Sequence, residues 1–360
     1  MRKMLIDIPW EAFRALPLAE KVPYLNQAGC VPYHTLIAQQ FDRALLERLG
    51  TLANSIRTIA KTRSGTDFLR QLISHKRAML YFSQPSSRTF LSFYSACQIL
   101  GMQTGEVRDT STSSEFKGES CEDSVRTFSS YFDLIIMRSP EKGLAEHMSW
   151  VLSNSDRPIP VINAGSGQDQ HPTQALLDIY TLQRSFERSG GLRDRTVVMV
   201  GDLARGRTVR SLSQLLVNFP NIRQVFVAPP VFQVGQDIQE MLRARGVDFE
   251  ITSDFHGVLP RADAVYMTRI QDEWDDATHP SRAVDISAYK FGARELKLLR
   301  PQAIIMHPLP RRDEIAVEVD HDPRAMYWRQ MRNGMWIRAA LIALTFGCEN
   351  RVLDFHRANL

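Results

Sequence analysis

Short apolar runs separated by amphipathic stretches set the rhythm of this chain. Residues 78–82 (AMLYF), 134–137 (LIIM) and 160–163 (PVIN) each read as a buried strand, with helix-like sequence between them. A helix carrying Phe90, Phe93, Cys97 and Leu100 on one face is expected after the first strand. The stretch from Phe41, FDRALLERLGTLANSIRTIA, has apolar residues at helical spacing and predicts the first long helix. Ahead of it, Pro9, Pro17, Pro23 and Pro32 break any long helix, and residues 1 to about 40 are expected to be irregular. A long helix over 172–187, ended at Ser189-Gly190-Gly191, leads to a second series of runs. These are 196–200 (TVVMV), 225–228 (VFVA), 264–267 (AVYM) and 303–306 (AIIM), followed by a helix over about 334–346.

Strands alternating with helices predict the α/β class: two doubly wound parallel-sheet domains joined by a long helix, the C-terminal helix packing back on the first. The expected segments are an extension (1–35), a first domain (36–185), a second domain (186–330) and the returning helix (331–360). The length of 360 residues suits two domains, each with its own core. A composition of 44% hydrophobic and 23% charged residues excludes disorder, collagen-like repeats and a disulfide scaffold. Cys30, Cys97, Cys121 and Cys348 are far apart, without a CxxC pair or a histidine at metal spacing, so free thiols of a reducing cytoplasm are expected. No signal peptide and no membrane-length apolar run is visible. A net charge of +4 is small for this length, and no basic run interleaved with aromatics points to nucleic acid.

In open α/β sheets ligands bind beyond the carboxyl ends of the strands, which directs attention to the residues that follow each run. Ser86, Ser87, Arg88 and Thr89 follow the first, Arg138 the next, and His171 and Gln174 the third. Gly201, Asp202 and Arg207 follow 196–200; Thr268, Arg269 and Gln271 follow 264–267; His307, Pro308, Leu309 and Pro310 follow 303–306. A lone arginine after a strand is usually a solvated surface residue. Arg88, Arg138, Arg207, Arg269 and His171 at successive strand ends, with few carboxylates among them, suit a ligand carrying several negative charges. The segment SQPSSRT is the sharpest case. Ser86 or Ser87 is placed to cap a helix whose N–H groups favour phosphate, and Arg88 adds a guanidinium fork. It is not a P-loop, since GxxxxGK[ST] is absent, and VMVGDLARGR lacks the GxGxxG of a dinucleotide site.

Seven segments in order, QPSSRTFLSF, FKGES, IIMRSP, NAGSGQDQHPTQALLDIYTL, VGDLARGRTVRSL, YMTRIQDE and MHPLPRRDEI, resemble the aspartate carbamoyltransferase catalytic chain of the aspartate/ornithine carbamoyltransferase superfamily. The match runs from about His34 over close to nine-tenths of the chain. The resemblance implies transfer of the carbamoyl group of carbamoyl phosphate to L-aspartate, an early step of pyrimidine synthesis, with no metal and no cofactor. It also implies a homotrimer with shared active sites, and a first domain for carbamoyl phosphate and a second for aspartate. Ser86, Ser87, Arg88 and Thr89 match the phosphate-binding stretch, while Arg138 and His171, with Thr89, match groups bonding the carbonyl oxygen. Gln174 and the backbone around Pro308, Leu309 and Pro310 match the hold on the carbamoyl NH2. Arg207, Arg269 and Gln271 match the grip on the two carboxylates of aspartate. Ser113 and Lys117 match the pair supplied by the adjacent subunit, with Lys117 bridging phosphate and aspartate.

Two positions depart from the family pattern: Gln84 where a glutamate is usual, and Phe90 where an arginine is usual. Gln84 removes a carboxylate that in the family helps domain closure; Phe90 is expected to pack in the apolar face of its helix. His307 is expected to be structural, and Asp313 and Glu314 to pair with nearby arginines without a catalytic role. An ornithine enzyme is disfavoured because the family's HCLP and SMG segments are replaced by His307-Pro308-Leu309-Pro310 and Arg269-Ile270-Gln271. A catalytically impaired scaffold should have lost some of Arg88, Thr89, Lys117, Arg138, His171 or Arg269; all are present. Association with regulatory chains or a dihydroorotase is left open.

Overall fold

The computed structural model describes residues 3–27, 31–108, 118–167, 170–272 and 284–359. The chain divides into two compact units, Met1–Leu176 with Gly334–Leu360, and Leu177–Asn333. No helix of the described residues is long and apolar enough to cross a membrane.

The first unit begins with α1 (Trp10–Ala15), α2 (Leu18–Leu25), α3 (Arg43–Ile59) and α4 (Arg63–Gln71). It continues through β1 (Arg77–Phe82), α5 (Ser87–Ile99), β2 (Gln103–Val107), α6 (Cys121–Tyr131), β3 (Leu134–Ser139), α7 (Leu144–Ser153) and β4 (Val161–Ser166). Its four strands are all parallel in the order β2-β1-β3-β4. The central strands β1 and β3, and β4 beside them, are buried on both faces, which explains their apolar runs. Strand β2 (QTGEV) is not legible in the sequence: it is an edge strand, partly exposed, with polar residues and a glycine where an apolar run would stand.

α8 (Pro172–Phe186) leads into the second unit, which holds β5 (Thr196–Val200), α9 (Arg207–Leu216), β6 (Arg223–Val227) and α10 (Gln236–Ala244). β7 (Phe249–Thr252), α11 (Phe255–Val258), β8 (Ala264–Met267), α12 (Ala293–Leu298) and β9 (Ile304–Met306) complete its sheet region. The sheet is parallel, ordered β7-β6-β5-β8-β9. Its core gathers Val198, Val200, Val225, Val227, Val265, Met267 and Ile305 against Phe255 and Phe291. β7 is again a half-exposed edge that periodicity did not reveal. α13 (Tyr327–Thr345) starts seven residues before the expected helix, and a separate α14 (Glu349–Asn359) follows it. Within the first unit α14 packs on α3, where Glu349 pairs with Arg48.

The described residues of the proline-rich beginning form defined elements instead of an irregular stretch. Pro9 and Pro17 sit at the N-caps of α1 and α2, where a missing N–H costs nothing. Leu5, Phe13 and Leu25 join the first unit's core, Lys21 forms a buried 2.6 Å ion pair with Glu146, and Trp150 donates its indole N–H to the Ile8 carbonyl. Thr35 bridges β4, covering what would otherwise be an open edge. His34 anchors this crossing: its Nδ1 accepts the Val161 N–H at 3.1 Å, so Nε2 carries the proton and donates to Ser153 Oγ at 3.0 Å.

Burial pushes the His34 pKa from 6.5 down to about 3. The unfolded chain takes up a proton near pH 6.5 that the folded chain refuses, so this stability is intact above that pH. It falls as the pH drops toward about 3, by roughly 1.4 kcal/mol per unit. Urea unfolding at a series of pH values is expected to show this slope, and His34→Gln is expected to flatten it; equal slopes in both proteins contradict the assignment.

Candidate active site

Each sheet has one place where successive connections leave in opposite directions. In the first it lies between β1 and β3, where Phe82 pairs with Arg138. The chain leaving β1 is stitched to β3 there: the Gln84 N–H and the Ser83 hydroxyl both donate to the Arg138 carbonyl at 3.3 Å. Ser86 is then the N-cap of α5, with extended backbone, and its carbonyl accepts the first helical bond from Phe90. The expected side-chain cap is absent, however: the Ser86 side chain makes no capping hydrogen bond. Ser87, Arg88 and Thr89 form the first turn, Ser87 exposed and Thr89 buried. A helix start of this kind favours an anion through its N–H groups and dipole.

Arg138 is not beyond its strand but within it, because β3 runs on to Ser139. It is buried, and its Nη1 donates to the Ala164 carbonyl at 3.1 Å, tying β3 to β4. Within β4, Asn163 takes the Gly165 N–H and donates to the Leu36 carbonyl, and Ser166, the last residue of the strand, bridges Gln170. That turn delivers His171 to the head of α8, where its carbonyl accepts the N–H groups of Gln174 and Ala175. His171 and Gln174 are both buried. The sheet order therefore brings the Ser86–Thr89 turn, Arg138 and His171 to the carboxyl ends of three adjacent strands. Phe90 packs as expected, edge-on to Phe82 at 5.5 Å and stacked on Tyr94 at 6.0 Å. The Arg108 guanidinium lies 4.4 Å from its ring centroid.

The second unit repeats the geometry between β5 and β8, where Val200 pairs with Met267. Gly201 has φ +116°, and a Cβ there would lie 2.3 Å from the Thr268 carbonyl oxygen, so glycine is required for this approach. The next residue, Asp202, is fully buried and organises both strand ends. It accepts the Arg205 N–H at 3.2 Å, Arg205 Nε at 2.8 Å and, from the other strand, the Gln271 N–H at 3.1 Å. Arg207 opens α9, and Arg269 donates to the Ile270 carbonyl at 3.0 Å.

Pro308, Leu309 and Pro310 follow β9 in a loop with Leu309 at φ +55° and a cis peptide to Pro310. His307 is the peg of this loop, as a structural residue. Its Nδ1 accepts the Leu309 N–H at 2.7 Å, which leaves Nε2 to donate to Glu314 Oε1 at 2.7 Å. Its own N–H goes to Gln330, and Gln330 donates in turn to the buried Asp178, which also accepts the Tyr266 hydroxyl. Burial works to raise the Glu314 carboxyl, but the His307 hydrogen bond and the Arg312 N–H outweigh it and hold the group below its usual range. Glu314 thus binds a histidine where an arginine partner was expected, while Asp313 pairs with Lys290 and not with an arginine. Arg311 grips Asp320, with Nη2–Oδ2 at 2.6 Å, and lies against the rings of Tyr327 and Trp328.

Ser113 and Lys117 lie outside the described residues. Sequence reasoning missed Asp202, Asp178 and Gln330 as organisers, because a polar residue's burial and its distant partners leave no periodic signal.

Comparison with known proteins places these two strand-end constellations in one class. The model "Aspartate/ornithine carbamoyltransferase, carbamoyl-P binding domain" matches residues 33–184, and "Aspartate/ornithine carbamoyltransferase, Asp/Orn binding domain" matches 193–345. The chain belongs to the aspartate/ornithine carbamoyltransferase family. It is 42% identical to aspartate carbamoyltransferase 1, chloroplastic, of Pisum sativum over 309 residues, 85% of this chain and 76% of that one. It is 40% identical to the aspartate carbamoyltransferase catalytic subunit of Vibrio cholerae over 312 residues, 86% of this chain and 96% of that one. Among solved structures, Trypanosoma cruzi aspartate transcarbamoylase in complex with carbamoyl phosphate and aspartate is similar with a TM-score of 0.78 and 35% identity, covering 86% of this chain and 95% of that one.

Asp202→Ala removes one buried carboxylate that serves three donors, at an expected cost of about 3 kcal/mol. Hydrogen exchange should accelerate at the Gln271 amide, on the other strand end. Unchanged exchange at Gln271 contradicts the role given to Asp202.

Proposed function

We propose that this chain is an aspartate carbamoyltransferase: it transfers the carbamoyl group of carbamoyl phosphate to the amino group of L-aspartate, giving N-carbamoyl-L-aspartate and phosphate for pyrimidine synthesis. The observation that carries the reading is that each parallel sheet has arginine and other polar side chains at its own switch point, in a chain about 40% identical to named aspartate carbamoyltransferases. The first unit takes carbamoyl phosphate, the second aspartate.

On this reading the start of α5, with Ser86, Ser87, Arg88 and Thr89, takes the phosphate through N–H groups and a guanidinium fork. Arg138, His171 and Thr89 bond the carbonyl oxygen, where negative charge develops as the amine attacks. All three are buried and Arg138 is held by the Ala164 carbonyl, which supports that role, since a donor held in place needs little reorganisation during reaction. Gln174 and the carbonyls of Pro308 and Leu309, in the loop with Pro310, orient the carbamoyl NH2. Arg207, Arg269 and Gln271 grip the two carboxylates of aspartate. The neutral amine forms the new N–C bond, the C–O bond to phosphate breaks, and the departing phosphate takes the amine proton. Positioning and charge stabilisation supply most of the rate, because the carbamoyl donor is already activated.

The homotrimer belongs to this proposal, with Ser113 and Lys117 completing the site of a neighbouring subunit. So does a cytoplasmic setting. It is supported by the unbridged Cys97, Cys121 and Cys348, of which Cys97 is buried with its thiol pushed up to about 12. The plant relatives from Pisum sativum, Oryza sativa and Arabidopsis thaliana are named as chloroplastic. Two arginines and a glutamine at the acceptor end favour a dicarboxylate over ornithine.

Purified protein given carbamoyl phosphate is expected to form carbamoyl aspartate with aspartate and no product with ornithine. Arg138→Ala should lower kcat by about 10²–10³-fold. Mixing inactive Arg138→Ala and Lys117→Ala proteins, after dissociation and reassembly, should restore turnover that neither has alone. A folded wild-type protein without product at high aspartate contradicts the function; failure of the mixture contradicts the shared site. His171→Asn should weaken turnover without removing a rate-controlling pKa, and loss of that pKa from the pH–rate profile would make His171 a general base instead.

A further inference from the structure

The loop that carries Arg269 and Gln271 is held on one side by Asp202, and a second attachment reaches it from the opposite direction. Asp272, one residue beyond Gln271, receives a two-pronged bond from Arg312: Nη1 to Oδ2 at 2.8 Å and Nη2 to Oδ1 at 2.9 Å. These residues are 40 apart in sequence and stand on the segments that follow adjacent strands, β8 and β9. Arg312 is itself set in place, because its backbone N–H donates to both carboxyl oxygens of Glu314, at 3.2 and 3.0 Å, and Glu314 is held by His307.

Asp272 has a second cation within reach. Arg269 Nη1 lies 3.9 Å from its Oδ1, longer than either bond to Arg312. The Arg312 hydrogen bonds hold the Asp272 carboxyl down to about 2, so at neutral pH it is a full negative charge. A full negative charge beside a guanidinium assigned to a dianionic substrate has two effects: it repels the substrate and competes for the arginine. Planar two-point pairing with a second arginine removes both, since it fixes the carboxylate's plane as well as offsetting its charge.

We propose that Arg312 is a positioning residue for aspartate binding: by clamping Asp272 it ties the loop of Arg269 and Gln271 to the loop of Pro308 and Leu309, and it draws a competing carboxylate away from Arg269. The inference rests on the function proposed above and adds to it a residue that touches neither substrate.

The clamp is half exposed, so it contributes little to overall stability, and its effect is read in substrate affinity. Steady-state kinetics of the whole enzyme test it. Arg312→Gln is expected to raise the KM for aspartate about 5- to 30-fold. Both kcat at saturating aspartate and the KM for carbamoyl phosphate should stay within about twofold. The double variant Asp272→Asn with Arg312→Gln should recover most of the lost affinity, because the carboxylate that Arg312 restrained is then neutral. Arg312→Lys should fall between, as an ammonium cannot make the two-point bond. An unchanged KM for aspartate in Arg312→Gln, or a raised KM that Asp272→Asn does not relieve, overturns the inference. Wild-type turnover is the control: its absence overturns the enzyme reading and this inference together, whereas turnover with an unaffected Arg312→Gln overturns this inference alone.

Discussion

At the end of β5 the backbone passes so close to the neighbouring strand that a single methyl group would collide with the Thr268 carbonyl. Much of the second unit's site depends on that contact. It holds the Val200 and Met267 strand ends together, lets Asp202 reach the Gln271 N–H, and so aims two loops from opposite topological directions at one place. The first unit solves the same problem with polar stitching, as Gln84 and Ser83 bind the Arg138 carbonyl. A parallel sheet with a switch point offers one spot where adjacent loops diverge and backbone groups face outward. In both units the chain fills it with cationic and amide side chains whose own backbones are held from behind.

That backing gives the charges their value. A guanidinium on a free surface is screened and conformationally loose, and binds an anion weakly. Arg138 is buried and fixed to the Ala164 carbonyl, and the Arg269 loop is anchored by Asp202 and Arg312. The loop of Pro308 and Leu309 is held by His307, whose ring is pinned by Glu314 and whose N–H is pinned by Gln330. Among the described residues, Asp202, Asp272 and Glu314 are each engaged by protein donors. The small net charge of +4 averages over an interior arrangement in which cations and their restraining anions occupy defined places.

The sequence revealed the central strands and the strand-end arginines because both leave local signals. A strand buried on two faces is a continuous apolar run, and the polar residues after it stand out. The edge strands β2 and β7 leave no such run, since none of their residues is fully buried and Gly105 or Glu250 interrupts it. The prolines ahead of α3 were read as breakers, yet Pro9 and Pro17 begin helices, because the effect of proline depends on its position in the turn. Residue type alone points to Ser86 or Ser87 as a cap; Ser86 takes the N-cap position, but its side chain makes no capping bond. Asp202, Asp178, Gln330 and the Asp272–Arg312 clamp were out of reach for a different reason. Their partners lie 3 to 152 residues away, and only the folded sheet order brings them together.

Under the proposed function each unit binds one anion, and the measurement that tests this most directly is a pair of KM determinations on single-site variants. Arg88→Ala should raise the KM for carbamoyl phosphate by about tenfold or more and leave that for aspartate nearly unchanged. Arg269→Ala should do the reverse. If either substitution left both KM values at the wild-type level, or if Arg269→Ala weakened carbamoyl phosphate alone, the division of the two substrates between the two units would be contradicted.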